Sequence, residues 1–408
     1  MKTLELKKNL YWTGLLDPDL RKFDIVMETE FGTSYNSYLF KTSEKTVLFE
    51  TGKVTFFEDY LKELKALVDI KDIDYIVVSH TEPDHAGSIG LLLDINPNIK
   101  IVATQVAIGF LKNIVNREFE SIEVKENDTL DLGDKTLRFM PLPNLHWPDT
   151  MYTYIEEDKT LVTCDSFGSH YSFDGVLLSK LTDNEGYLRA LKYYFDCIIG
   201  PFKNPFMVKA LERIKDLEVD MICTGHGPVL DCRIDEVKEY YYKWSTVTNP
   251  NPRKTVIIPY VSAYGYTKEL ANEISKGIQE SGEIDVRTYD MEEADQGKVL
   301  EELEFADGIL FGTPTIVGDA LKPIWDLTTS IFSRTHGGKL ASAFGSYGWS
   351  GEAVPNIIQR LKQLRMKVVD EGFRIKFKPS DAQLKEAYGY GYNFGCLLQN
   401  KENPNKVQ

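Results

Sequence analysis

The chain has 408 residues, 42% hydrophobic and 27% charged, and carries a net charge of −15. That length exceeds one ordinary domain of about 100–200 residues and the composition is globular, so two domains are expected and a disordered chain is excluded. The negative charge argues against nucleic acid as a partner. No apolar run approaches the roughly 20 residues of a membrane span, and Met1-Lys2-Thr3-Leu4 opens no apolar export signal, so a cytoplasmic protein is expected. The five cysteines, Cys164, Cys197, Cys223, Cys232 and Cys396, form no C-x-x-C pair, which disfavours a disulfide framework and a thiolate metal site.

In chain order, β-branched and aromatic runs predict strands over 37–40, 46–49, 75–79, 99–104, 136–141, 151–155 and 160–164. Helical spacing appears over 57–68, 105–114, 186–196 and 205–215. Two Asn-Pro steps in Asn249-Pro250-Asn251-Pro252 then force extended or turn backbone, which places a boundary between domains 1–250 and 251–408. Beyond it, strands over 255–259, 283–289, 308–311, 339–345 and 367–377 alternate with helices over 267–281, 296–303, 320–332, 352–364 and 380–398. Such alternation suggests an open parallel sheet covered on both faces.

The densest chemistry is His80-Thr81-Glu82-Pro83-Asp84-His85, which follows the apolar run 75–79. Four potential metal ligands fall within six residues where a strand delivers them to a loop that Pro83 stiffens. His146 and His226 also sit at or near probable strand ends, Asp165 ends the run 161–164, and His170 trails it. The spacing resembles the metallo-β-lactamase fold, an αβ/βα sandwich whose two-metal site uses H-x-H-x-D-H, then a distant His, an Asp and a last His. Glu82 stands where that pattern has its second His. Extra carboxylates favour iron over the zinc that imidazole-rich sites prefer, although spacing alone leaves zinc and manganese open. A zinc metallo-hydrolase with a flavodoxin tail is the alternative.

In the second half, Ser262-Ala263-Tyr264-Gly265-Tyr266-Thr267 joins a strand to a helix start, where backbone N–H groups, hydroxyls and the helix dipole suit a phosphate. It resembles the flavodoxin phosphate loop, with Tyr264 in place of a Ser or Thr. Thr313-Pro314-Thr315-Ile316-Val317-Gly318 and Ser346-Tyr347-Gly348-Trp349 end two further strands. They would gather at the carboxyl edge of a doubly wound sheet, where flavodoxin-like folds bind FMN. Tyr347 and Trp349 are the candidates to border its ring.

Together the halves resemble the flavodiiron proteins, also called A-type flavoproteins. The resemblance implies FMN and two iron ions. His80, Glu82, His146 and a bridging Asp165 would hold one iron, and Asp84, His85, Asp165 and His226 the other. It implies reduction of dioxygen to water, of nitric oxide to nitrous oxide, or both, with His170 and Tyr194 near the bound gas. Electrons would come from rubredoxin or a reduced deazaflavin coenzyme. A head-to-tail homodimer, or a dimer of dimers, would bring one subunit's flavin to its partner's iron.

Overall fold

In the computed structural model, which describes residues 4–401, the chain divides into two compact units, Met1–Val247 and Thr248–Gln408. The first contains a seven-stranded sheet whose spatial order follows the chain: Leu4–Lys7, Leu10–Trp12, Tyr38–Lys41, Thr46–Phe49, Tyr75–Val77, Lys100–Ala103 and Ser121–Glu123. A five-stranded sheet does likewise, through Thr129–Asp131, Thr136–Pro141, Met151–Ile155, Thr160–Cys164 and Met221–Thr224.

The two-residue alternation of a strand decides what each face meets. Phe40, Val47, Phe49, Val77 and Val102 of the first sheet share one buried cluster with Leu137, Phe139, Met151, Ile155 and Val162 of the second. Their chain neighbours Leu39, Leu48, Ile76 and Ile101 face outward onto helices Phe57–Leu67, Ile89–Ile95 and Gln105–Val115. On the far side, Met140, Tyr152, Leu161 and Ile222 pack on helices Asn184–Tyr194, Val208–Ile214 and Ile234–Ser245. The result is the four-layered αβ/βα sandwich. Each fully buried aliphatic contributes about 1.5–3 kcal/mol, so the layering is fixed by the strands' own pattern.

The second unit is a parallel sheet in the order Ile284–Asp290, Lys254–Tyr260, Gly308–Gly312, Leu340–Tyr347. The strand order reverses beside Lys254–Tyr260, which creates the switch point of a flavodoxin-like sheet. Ile257, Ile309, Phe311 and Ala343 face helices Gln296–Phe305, Lys322–Ser330 and Ala353–Gln363, while Val256, Ile258, Leu310 and Phe344 face helices Tyr266–Glu280 and Asp381–Leu398. The latter two helices meet at glycines: a Cβ on Gly277 would lie 2.0 Å from the Tyr388 carbonyl oxygen. The strand expected over 367–377 is two short ones, Lys367–Val368 and Phe373–Lys376, each paired with Leu340–Tyr347. Asp370 causes the break. Its carboxylate accepts from Gly372 N at 2.8 Å and Ser342 Oγ at 2.6 Å, and Gly372 turns the chain at φ +86°.

Candidate functional site

All seven expected metal ligands meet at one edge of the first unit. His80 continues from strand Tyr75–Val77, and Glu82 caps the short helical turn Pro83–Ala86 that carries Asp84 and His85. Pro83 occupies a first-turn position, where its missing N–H costs nothing, so what the sequence presents as a stiffened loop is a helix start. His146 comes from the segment after Thr136–Pro141, Asp165 directly follows Thr160–Cys164, and His226 follows Met221–Thr224.

The side chains form two groups around Asp165. On one side His146 Nε2 lies 3.0 Å from both Glu82 Oε2 and Asp165 Oδ2, and His80 Nε2 lies 3.4 and 3.3 Å from the same two oxygens. On the other, His85 Nε2 is 3.1 Å from Asp165 Oδ1 and 3.5 Å from Asp84 Oδ1. His226 Nε2 is 3.2 Å from Asp84 Oδ2 and 3.5 Å from Asp165 Oδ1. Ligands held about 2.1 Å from one ion stand roughly 3.0–3.4 Å apart, close to this spacing. Asp165 turns one oxygen to each group.

Both oxygens of Asp84, Oδ1 of Asp165 and Nε2 of His85 are buried without a hydrogen bond, although opposite charges lie within 3.5 Å. Atoms that converge on a point without aligning for hydrogen bonds are what a cation satisfies. Burial opposes charge throughout, yet the facing groups outweigh it. Glu82, Asp84 and Asp165 are held below the usual carboxylate range by the imidazoles they face. His80 and His85 are held above the usual imidazole value by the carboxylates they face, Asp165 for both and Asp84 for His85, and His146 rises to about 9 through Asp165 and Glu82. Those protons are the ones a bound metal displaces.

Several supports of this cluster are invisible as motifs. His226 Nδ1 donates to the Ser34 carbonyl at 2.6 Å, which turns Nε2 towards the cluster. Asn36 holds the same loop, donating to the carbonyls of Thr224 and Gly227 at 2.9 Å each. Gly225 has no room for a side chain: a Cβ there would sit 2.8 Å from Asp165 Oδ1 and 2.9 Å from His85 Cε1. Buried Glu50, at φ +56°, accepts from Ser79 N at 2.9 Å beneath the site. The Cys164 thiol also lies within ligand range of His80, His85 and Asp165. Burial and then Glu50 push its pKa up, so it stays a neutral thiol and the carboxylates and imidazoles remain the better donors.

His170 and Tyr194 flank the second group, with ring centroids 5.3 and 6.1 Å from that of His226. His170 Nδ1 meets Thr33 Oγ1 at 2.9 Å, while its Nε2 and the Tyr194 hydroxyl are buried without partners. Burial, then His226, lowers the His170 pKa to about 3, and burial raises that of Tyr194, so both are neutral. Phe23 packs against His170 and His226, with ring centroids 4.3 and 5.1 Å from theirs.

In the second unit the three flavin loops end strands Lys254–Tyr260, Gly308–Gly312 and Leu340–Tyr347. Gly265 caps helix Tyr266–Glu280 at φ +83° with open space around it, and Ser262 Oγ accepts from Lys268 N at 3.2 Å. Ala263 and Tyr264 are exposed, Tyr266 is half-buried, and Thr267 is buried with its hydroxyl 3.3 Å from Ser346 Oγ. The other two loops are laced together, as Thr315 N donates to the Ser346 carbonyl at 2.9 Å. Thr313 and Pro314 are buried, and Val317 and Gly318 form an exposed left-handed turn closed by Ile316 and Asp319. Trp349 is exposed, whereas Tyr347 is half-buried, and Gly348 lies against the exposed Phe377, which the sequence did not single out. Tyr264, Val317, Trp349 and Phe377 thus leave apolar surface uncovered at this edge, as a planar ring needs.

Residues 33–227 match the ODP family beta lactamase and residues 258–391 match flavodoxin. The chain is 42% identical over 399 residues to the flavo-diiron protein FprA2 of Clostridium acetobutylicum, covering 97% of this chain and 99% of that one. The chain belongs to the flavodiiron proteins. The crystal structure of the flavodiiron protein from Giardia intestinalis is similar at a TM-score of 0.68 and 29% identity, over 98% of this chain and 97% of that one. The rubredoxin oxygen:oxidoreductase of the anaerobe Desulfovibrio gigas shares the fold at a TM-score of 0.69 and 24% identity, over 98% and 99%. A flavodiiron protein uses FMN and a di-iron centre, and the carboxylate-rich double cluster and the open, hydroxyl-bearing loops have the donor chemistry for each. Among the described residues, no helix is long and apolar enough to cross a membrane.

Proposed function

We propose that this flavodiiron protein reduces dioxygen to water, nitric oxide to nitrous oxide, or both. The reading rests above all on Asp165, which offers one oxygen to each of two groups 3.0–3.5 Å away. In it, His80, Glu82 and His146 would hold one iron and Asp84, His85 and His226 the other, with Asp165 offering a carboxylate oxygen to each. Bound FMN stores two electrons and a ferrous pair two more, which matches the four that dioxygen needs and exceeds the two that a pair of nitric oxide molecules needs.

The chain's own groups then have separable tasks. Three carboxylates offset most of the charge of two divalent cations, so the buried cluster is nearly neutral when filled. The Tyr194 hydroxyl keeps its proton and is a hydrogen-bond donor beside the second group. Neutral His170 offers Nε2 there. Phe23 presents an apolar ring to His170 and His226. Backbone N–H groups and hydroxyls of Ser262, Ala263, Tyr264, Gly265, Tyr266 and Thr267 take the FMN phosphate. Thr313, Pro314, Thr315, Ile316, Gly318, Ser346, Tyr347, Gly348 and Trp349 border its ring. A head-to-tail homodimer, alone or paired into a dimer of dimers, brings these loops to the partner's metal cluster. The donor is rubredoxin, named with oxygen for one structural relative, or a reduced deazaflavin coenzyme.

A zinc hydrolase is disfavoured because Glu82 supplies a carboxylate where such sites have an imidazole. The test is anaerobic: iron-loaded protein is reduced with each donor and pulsed with each gas. Conversion of at least one gas to water or nitrous oxide by the iron form is expected, with the zinc form giving at most peroxide from its reduced flavin. Hydrolysis by the zinc form with no gas uptake by the iron form would remove the proposal.

A further inference from the structure

Beside the proposed di-iron site lies a cavity of about 650 Å³ that the reaction scheme does not use. It sits between the segment 21–31 and helix Asn184–Tyr194; Phe31, Ala190 and Tyr193 form part of its wall, and His170 reaches it from the metal cluster. His170 is therefore shared. It lines the cavity, and its ring centroid stands 5.3 Å from that of His226. Its buried Nε2 has no partner.

The two metal groups differ in access. Glu82 and His146 keep 16% and 13% of their side chains exposed, whereas Asp84, His85 and His226 keep 7%, 0% and 2%. The second group is the less exposed of the two, and the cavity comes within one ring of it. The wall charges are of both signs. Arg189 pairs with Glu30 at 3.1 Å, Arg21 donates to the carbonyls of Pro18 and Leu20 at 2.9 Å each, and Lys22 stands opposite Glu28 in a two-stranded ladder. A wall of charges of both signs and apolar surface does not select an ion. It suits small uncharged molecules, which dissolve more readily in apolar space than in water.

We infer that this cavity admits the gaseous substrate, a small uncharged diatomic molecule, to the Asp84/His85/His226 side of the cluster past His170. The inference rests on the proposed gas reduction and adds a route and a side to it. Ala190 is the place to test it, since it lines the cavity from a helix, is almost fully buried, and contributes no polar group. Ala190→Leu and Ala190→Trp fill the space in steps.

Xenon applied under pressure to crystals should occupy the cavity in the parent protein and be displaced in Ala190→Trp. In rapid mixing, nitric oxide uptake by reduced, iron-loaded protein should slow by about tenfold or more in Ala190→Trp and by less in Ala190→Leu. Release should slow in proportion, so that affinity and the iron absorption spectrum stay unchanged; a merely distorted metal site would alter both. If Ala190→Trp does not load iron, Ala190→Leu decides. No xenon in the parent's cavity, or parent-like uptake by an iron-loaded plugged variant, would overturn the inference. Parent protein that takes up no gas at all would instead strike the proposed function, and xenon alone would then judge the cavity.

Discussion

Gly225→Ala tests how tightly the backbone frames the metal cluster. The added Cβ would lie 2.8 Å from Asp165 Oδ1, 2.9 Å from His85 Cε1 and 3.1 Å from the Cys164 carbonyl carbon. Ordinary contacts begin near 3.5 Å, so roughly 0.7 Å must be found at the oxygen that faces His85 and His226. Overpacking of this kind costs about 1–3 kcal/mol in a rigid core. The displaced oxygen and imidazole are both proposed ligands, and disturbing such a frame typically lowers metal affinity by about 10- to 100-fold. The assay is iron retained per chain after reconstitution and passage over a weak chelator, with bound FMN counted in the same sample. Iron should fall while FMN stays, because the flavin loops lie in the other compact unit. Gly109→Ala is the control: nothing lies within 4 Å of its Cβ, and removing a helical glycine should stabilise by about 0.5–1 kcal/mol without changing iron. Gly225→Ala protein with full iron and unchanged retention would refute the reasoning.

Four other outcomes follow from the geometry. Gly391→Ala puts a Cβ 2.1 Å from the Ile274 carbonyl oxygen, so the overlap should outweigh the helix gain and lower the melting temperature of the flavodoxin-like unit by several degrees; an unchanged melt would contradict this. In metal-free protein His146 is raised to about 9 from an ordinary 6.5, so its contribution is full below the ordinary value and lost as pH rises through about 9. The contributions of Asp84 and Asp165, held low, are present above the ordinary carboxylate value and lost on acidification. Apo melts should therefore weaken above about pH 9 and again below the ordinary carboxylate value of 3.8, and a flat profile between about pH 3 and 10 would count against the pairing. Glu82→His restores an imidazole-rich set and should raise the zinc-to-iron ratio after loading from an equimolar mixture; an unchanged ratio would show that Glu82 does not choose the metal. Trp349→Ala removes an exposed aromatic at the flavin edge and should weaken FMN about tenfold by fluorescence titration, with iron unchanged; equal affinity would take Trp349 off the ring.

Much of this was legible in the chain because strand ends are punctuated locally. The β-branched and apolar runs over 75–79 and 160–164 announce where His80 and Asp165 emerge, and alternating strands and helices after Pro252 announce a parallel sheet. Packing across distance was not legible. Ser34 supports His226 from 192 positions away. Gly225 reads as an ordinary turn glycine until the atoms around its missing Cβ are known. Pro83 allows either a stiff loop or a helix start, and only the surrounding fold chooses. The break at Asp370 depends on a side chain bonding Ser342 from the neighbouring strand, so a continuous β-rich run gave no warning of it.

The most direct test of the central claim is a single turnover without external donor. Iron- and FMN-loaded protein, fully reduced under anaerobic conditions, is mixed with a measured excess of dioxygen. If metal pair and flavin act as one four-electron unit, about one dioxygen disappears per reduced chain with no hydrogen peroxide accumulating, and iron-free protein yields peroxide instead. Peroxide formed in step with dioxygen by the iron-loaded protein would contradict the account.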